Sequence, residues 1–166
     1  HYIARTGDVK GLIAELMGKA SGVCGGIGSS QHLCNNNFYS NGVQGGIVPV
    51  AAGMALAAKR DGKGAIVVVF IGDGTLGEGV VYESMNLASL LQLPLHIVCE
   101  NNRYAQSTKS SENLSGSILA RPESFGIQTF HSNTWDLEEL FKNAKSSIKA
   151  TRSIQPVFHL VDTYRL

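Results

Sequence analysis

Two loop ends carry the residues of this chain whose types and spacing point to chemistry. Gly72-Asp73-Gly74 closes an apolar run, Ala65–Ile71, and Glu100-Asn101-Asn102 closes a second, Leu95–Cys99. A carboxylate in a glycine turn and an amide oxygen on a neighbouring loop form a plausible Mg²⁺ pair, because Mg²⁺ takes one or two carboxylates plus phosphate oxygens. The backbone N–H groups of Gly74 and Thr75, at the start of a helix, would face an anion. Together they describe a metal–diphosphate site with Asp73 and Asn102 as ligands. A second chemistry fits the same stretch. Gly72-Asp73-Gly74-Thr75-Leu76-Gly77 matches G-x-G-x-x-G, and Glu100 stands at the end of the next strand where a ribose-binding acid would, as in a dinucleotide-dependent oxidoreductase. Asp73 favours the metal reading. A carboxylate beside a pyrophosphate is repelled by on the order of 4 kcal/mol at an effective dielectric near 20 unless a cation lies between them.

These loop ends must be positioned by a sheet. Both apolar runs are short, rich in Val and Ile, and do not alternate, which suits parallel strands buried on both faces. Between them Val80, Val81, Met85, Leu87, Ala88, Leu90 and Leu91 recur at helical spacing, and Pro94 stops the helix. A strand–helix–strand unit of this kind crosses over right-handed, so both strands end at one sheet edge, where ligands of open α/β sheets bind. The fold class expected is α/β, an open, mainly parallel sheet flanked by helices.

Around this unit, Asp8 caps a helix from about Val9 to Met17, ended by Gly18. Residues 21–46 are dense in Gly, Ser and Asn and read as a long loop. A small-sided helix begins near Val48-Pro49 and runs to Lys59, before a polar turn, Lys59–Gly64. Glu78, Tyr82 and Glu83 are expected at the surface or an interface. Arg103–Gly126 reads as a second long loop and Ile127–Phe130 as a short strand. Trp135 is expected as a packing anchor. Asp136 caps a helix from Leu137 to about Lys149, with Leu137, Leu140, Phe141, Ala144 and Ile148 as its apolar stripe. Gln155-Pro156 opens a last strand, Val157–Val161.

Composition limits the function classes. The chain has 166 residues, 43% hydrophobic and 16% charged, with a net charge of +1. That balance argues against a nucleic-acid partner, and no run of 18 apolar residues suggests a membrane span. Cys24, Cys34 and Cys99 are odd in number and read as reduced thiols of a cytoplasmic or mitochondrial matrix protein, the cytoplasm being preferred. Cys24, His32 and Cys34 form a partial zinc set with no fourth ligand, so loop or core roles are expected for them.

The spacing then carries a resemblance. Gly-Asp-Gly, a spacer of 26 residues (Thr75–Glu100) and Asn-Asn is similar to the thiamine diphosphate motif. The flanks Cys99-Glu100-Asn101-Asn102-Arg103-Tyr104, and Asn41-Gly42-Val43 followed by Pro49 and Gly53, resemble the alpha subunit of 2-oxo acid dehydrogenases of the pyruvate, branched-chain and acetoin type. The likeness runs from about Ile3 to Arg165. It implies a thiamine diphosphate-binding fold, a single domain over 1–166 truncated at both ends relative to the family, and oxidative decarboxylation of a 2-oxo acid with thiamine diphosphate and Mg²⁺. The cofactor-binding residues it implies are Gly42, Gln44, Gly72, Asp73, Gly74, Thr75, Asn102 and Tyr104, with Asp73, Asn102 and the Tyr104 carbonyl on the metal. His32, in a Gly-Ser-x-His-like stretch, is the candidate catalytic residue. The partners implied are a beta subunit, two alpha with two beta, and a lipoyl-bearing acyltransferase. The beta chain supplies the glutamate that activates the cofactor, so this chain alone is expected to be inactive. Two departures from the family pattern stand out. Gln44 replaces an apolar residue beneath the cofactor, and Ala105-Gln106-Ser107-Thr108 replaces a Gly-Met-Gly-Thr-like run. The remaining alternative, from a different class, is a non-catalytic subunit that kept the fold.

Overall fold

The computed structural model describes residues 1–165; Leu166, the last residue of the expected domain, lies outside the described residues. Contacts divide the stretch expected as one domain into two compact units, His1–Val43 and Gln44 onward.

The first unit begins with a short helix the sequence did not signal, α1 (Tyr2–Thr6), followed by α2 (Val9–Leu16). As expected, Asp8 caps α2, its carboxylate accepting from Gly11 N at 2.8 Å. The residues expected to form a structureless loop contain a hairpin, β1 (Cys34–Asn35) and β2 (Phe38–Tyr39). Its turn residues Asn36 and Asn37 both take positive φ, 46° and 62°, a backbone state that Asn tolerates better than most residues. Gly and Ser cannot fill a core, so the preceding segment is ordered by a charge instead. Glu15, on α2, is 1% exposed. Its Oε2 accepts from Cys24 N at 2.7 Å and Gly26 N at 2.9 Å, and its Oε1 from Gly28 N at 2.6 Å and Ser29 N at 3.2 Å. Burial alone pushes this carboxyl up, but the four N–H donors outweigh it and the net shift is downward.

The second unit runs α3 (Gln44–Asp61), β3 (Val67–Gly72), a 3₁₀ turn over Asp73–Gly77, α4 (Gly79–Leu90), β4 (Leu95–Asn101), β5 (Tyr104–Ala105), β6 (Thr108–Lys109), α5 (Ser110–Asn113), α6 (Ala120–Glu123), β7 (Gln128–Asn133), α7 (Leu137–Arg152) and β8 (Val157–Asp162). The expected parallel sheet is present, with order β3-β4-β8-β7 and every pairing parallel. Helices α3 and α4 cover one face. Val48, Ala52 and Ala55 of α3 and Val81, Met85 and Ala88 of α4 close over Val69, Ile71, Leu95, Ile97, Cys99 and Phe158. Helix α7 covers the other face over β7 and β8, where Asn143 Nδ2 donates to Ser132 Oγ at 3.0 Å.

Several expectations are corrected. Helix α3 starts at Gln44 rather than near Val48, because Gly45-Gly46 continue the helical turn instead of ending the loop, and Pro49 falls inside it. β4 is buried on both faces as expected, but β3 is an edge strand and leaves Val68 and Phe70 each 40% exposed. Trp135 is not a packing anchor within this chain; it is 67% exposed. The expected stripe of α7 is also turned largely outward, with Leu137 71% and Phe141 63% exposed, while Ser147 and Thr151 are buried. The reason lies in the sheet face beneath, which is polar. His96 and His159 lie buried there with parallel rings 6.1 Å apart. His159 Nε2 meets Ser132 Oγ at 3.0 Å, and both ring nitrogens of His96 lack a partner. Burial, then the neighbouring His159, lowers the His96 pKa to about 4; burial, then His131, also lowers that of His159.

Two expectations follow for acid stability. His96 is held below its ordinary value of 6.5, so its contribution is complete above pH 6.5 and is lost as pH falls toward 4. Urea unfolding between pH 7 and 4.5 should lose on the order of 3 kcal/mol, and His96→Leu should remove most of that slope. Glu15 is shifted in the same direction, but because its charged form is favoured rather than disfavoured. Its ordinary value is 4.5, so its contribution is present above that pH and lost on further acidification through its lower folded value. Glu15→Gln, which points an amide NH₂ at N–H donors, should abolish the exchange protection of the Gly26 and Gly28 amides at neutral pH.

Candidate functional site

Crossover direction determines where this sheet opens. The chain steps from β3 to β4 through α4 on one face, jumps to the far edge at β7, and returns through α7 on the other face to β8. The strand order therefore reverses between β4 and β8, and the carboxyl ends of those two strands form the switch point where open α/β sheets bind ligands. In register, Gly72 pairs with Glu100 and Asn101 with Asp162, so the turn beginning at Asp73, the Asn pair and Asp162 follow one another along a single edge.

Asp73 is 1% exposed. Ser110 Oγ donates to its Oδ2, and Oδ1 is buried with no partner among the described residues. A buried carboxylate oxygen without a donor is costly unless a cation or further donors compensate it. The turn around it is held from three sides. Gln44 Oε1 accepts from Gly72 N at 2.6 Å and from Thr75 Oγ1 at 2.8 Å. Glu78 Oε1 accepts from Gly45 N at 3.0 Å, and a Cβ on Gly45 would collide with that carboxylate. The hairpin β5–β6 and α5 lie against the turn, with Asn113 Nδ2 donating to Gly74 O at 3.3 Å. A Cβ on Gly74 would collide with Ala105 Cβ, so glycine is required there for contact with the hairpin. Tyr82, expected at the surface or an interface, is half-buried; it donates to Leu76 O and accepts from Arg121. Glu78 is likewise engaged rather than free, and Glu83 is exposed.

The Asn pair divides its roles. Asn101 Nδ2 donates to Asp162 Oδ1 at 2.7 Å, and Asp162 Oδ2 meets His131 Nε2 at 2.8 Å, tying three strand ends together. Asn102 Oδ1 accepts from Tyr104 N at 2.9 Å, which leaves a second lone pair on that oxygen. Asn102 and Tyr104 line a cleft of about 740 Å³ with Arg103, Trp135, Tyr164 and Arg165. Among the described residues there is no cluster of three or more His, Cys, Asp or Glu side chains suited to a metal. The set singled out in the sequence has one such side chain, Asp73, an amide and a carbonyl. Of the other singled-out residues, Gly42 and His32 belong to the first unit. Gly42 is exposed, and a Cβ on it would collide with Gln31 Oε1; His32 is exposed.

Sequence reasoning missed Ser110, Asn113, the Gln44 side chain, and Asp162. Asp162 carried a signal, an acid at the end of an apolar strand. Ser110, Asn113 and the Gln44 amide carried none, because their roles depend on contacts 28 to 39 residues away in sequence.

The full length of the chain, residues 1–166, matches the family model described as dehydrogenase E1 component. It is 38% identical over 170 residues to the pyruvate dehydrogenase E1 component subunit alpha of Rickettsia typhi, covering 99% of this chain and 52% of that protein. The testis-specific mitochondrial form from Rattus norvegicus is 36% identical over 160 residues, covering 95% of this chain and 41% of that protein. The chain thus spans about half the length of the curated relatives it matches. Among solved structures, transketolase from Campylobacter jejuni superposes with a TM-score of 0.67 at 26% identity, over 74% of this chain and 20% of that one. Transketolase from Leishmania mexicana does so at 0.55 and 27%, over 74% and 19%. The sheet and flanking helices therefore have the transketolase-related architecture.

The Gln44 bracket predicts a measurable effect. Gln44→Leu, which restores an apolar residue, should lower stability by about 1–2 kcal/mol by releasing the Gly72 amide and the Thr75 hydroxyl. Amide exchange at Gly72 should accelerate, and unchanged exchange there would contradict the bracket.

Proposed function

The chain belongs to the dehydrogenase E1 component family, and from that premise we propose that it forms the diphosphate- and metal-holding part of a thiamine diphosphate-dependent 2-oxo acid dehydrogenase component of alpha-subunit type. The observation that carries this reading is the buried, unpartnered Oδ1 of Asp73 at the switch-point edge. It fits a hard divalent cation, which would relieve an uncompensated oxygen. Asp73, the free lone pair of Asn102 and the Tyr104 carbonyl would hold Mg²⁺. The amides of Gly74 and Thr75 would meet the diphosphate, and backbone groups of Gln44 the aminopyrimidine ring. When bound, thiamine diphosphate supplies the nucleophile and electron sink for decarboxylation.

The chain's own residues do the holding. Ser110 fixes the Asp73 carboxylate so that one oxygen is committed and the other stays open. Gln44 and Asn113 keep the turn closed. Arg103 and Arg165, beside the aromatic walls of the cleft, suit the carboxylate of a small 2-oxo acid. The beta subunit and a lipoyl-bearing acyltransferase go with this reading as partners, and a cytoplasmic or mitochondrial matrix setting as compartment. The dinucleotide alternative is less well supported. The Gly72–Gly77 run forms a 3₁₀ turn that gives way to extended Glu78 before α4 begins, rather than leading straight into a helix.

Calorimetric titration of the purified protein with thiamine diphosphate tests the reading, in Mg²⁺, in EDTA and beside an NAD control. Binding is expected only with the metal. Asp73→Asn should weaken it more than roughly 100-fold, and Ser110→Ala by roughly 10-fold through misorientation of Asp73. Metal-independent binding, or NAD binding in its place, would overturn the proposal. Retained binding to a beta-type partner with no cofactor binding would mark the chain as a non-catalytic subunit.

A further inference from the structure

The first unit holds two of the three cysteines side by side. Cys24 Sγ accepts from the Cys34 amide at 3.2 Å and lies 3.9 Å from the Cys34 carbonyl oxygen, so it sits against both ends of the Cys34 residue. Adding one N–Cα bond and the reach from Cα to Sγ, the two Cα atoms are no more than about 7.5 Å apart, close to the range of about 4.4–6.8 Å spanned by disulfides. Both cysteines are reduced here; Cys34 is exposed and Cys24 half-buried. Neither cysteine belongs to the main apolar cluster, although Leu33 beside Cys34 is buried. Cys34 lies in the two-residue strand β1, and Cys24 enters the loop wrapped around Glu15. Because Glu15 holds the Cys24 loop through four amides, closure moves the short Cys34 strand toward that loop. Cys99 is different: it is completely buried in the sheet, and burial pushes its thiol well up.

We propose that Cys24 and Cys34 form a reversible thiol–disulfide pair that closes when the protein meets a low-molecular-weight disulfide. The Cys34 thiolate, the more exposed, attacks one sulfur of the small disulfide RSSR and expels RS⁻. The Cys24 thiolate then attacks the Cys34 sulfur of that mixed disulfide and expels the second RS⁻. The protein gives up two electrons and two protons, and RSSR becomes two RSH. Closure ties the hairpin β1–β2 to the Glu15-wrapped loop and restrains His32, which lies on the segment between the two cysteines. A small thiol in excess reverses it.

Oxidised glutathione is the probe on the folded protein, followed by an acid quench, alkylation in urea so that buried Cys99 also reacts, trypsin digestion and mass measurement. No Lys or Arg lies between Lys19 and Lys59, so both cysteines fall in one peptide, Ala20–Lys59. That peptide is expected to be lighter by two hydrogens and resistant to alkylation, with Cys99 still alkylated. Cys24→Ser and Cys34→Ser should each leave a single thiol that carries one glutathione or one alkyl group. In a glutathione redox buffer the equilibrium constant for closure should be on the order of tenfold larger in the folded protein than in urea. Two separate glutathione adducts on the wild-type peptide, no modification at all, or equal closure in urea would overturn the proposal.

Discussion

A carboxylate buried at a strand end with only one of its two oxygens bonded sets the terms for the rest of the second unit. Asp73 is buried in a turn that the hairpin and α5 lie against, and among the described residues the one donor its carboxylate receives is the Ser110 hydroxyl. An arrangement like this is tolerable only if its surroundings are over-determined, because a loose turn would swing the charge back to solvent. The turn is accordingly fixed at Gly72 and Thr75 by Gln44, at Gly74 by Asn113 and Ala105, and at its exit by Glu78 on Gly45. The long helix α3 is thereby attached to the site at its first residues as well as packed against β3 along its length.

The sheet explains where a ligand can enter beside that turn. Strand β8 lies between β4 and β7, so the two crossovers leave on opposite faces and a crevice opens at the ends of β4 and β8. Asp162 closes the floor of that crevice through Asn101 and His131. The two faces of the sheet are chemically unlike. The α3/α4 side is aliphatic, and the α7 side carries His96, His159 and Ser132. That polar layer is why α7 presents Ser147 and Thr151 inward and leaves Phe141 in the open. Amphipathic spacing describes which residues of a helix could be buried, and the chemistry of the facing sheet decides which are.

The legible parts of the sequence were those with local causes. The crossover, the two loop ends, the Asp8 and Asp136 caps and the parallel sheet all follow from short-range pattern and turn chemistry. The misread parts depended on distant partners. Val68 and Phe70 resemble core residues, and only the position of β3 at the sheet edge exposes them. Glu15 sits among Leu12, Ile13 and Leu16, and nothing local says that its carboxylate will order a segment running to Ser29. Gly45-Gly46 has loop composition yet is helical, because Glu78 receives the Gly45 amide. The candidate site was legible as a position on one edge, and the way it is braced was not.

The two places where the sequence departs from its family's pattern illustrate the difference. Gln44 and the Ala105–Thr108 run are about sixty residues apart and look unrelated in the sequence. In the fold both bear on the same five-residue turn. The Gln44 amide oxygen takes the Gly72 N–H on one side, and Ala105 presses its methyl group against Gly74 on the other. An apolar side chain at position 44 could not accept that hydrogen bond, and a glycine at position 105 could not make the Ala105 contact. The departures are therefore coupled through the turn. This chain braces the loop that carries Asp73 with a polar bracket and a methyl contact, and any ligand that enters must fit a turn already held in place by the protein's own side chains.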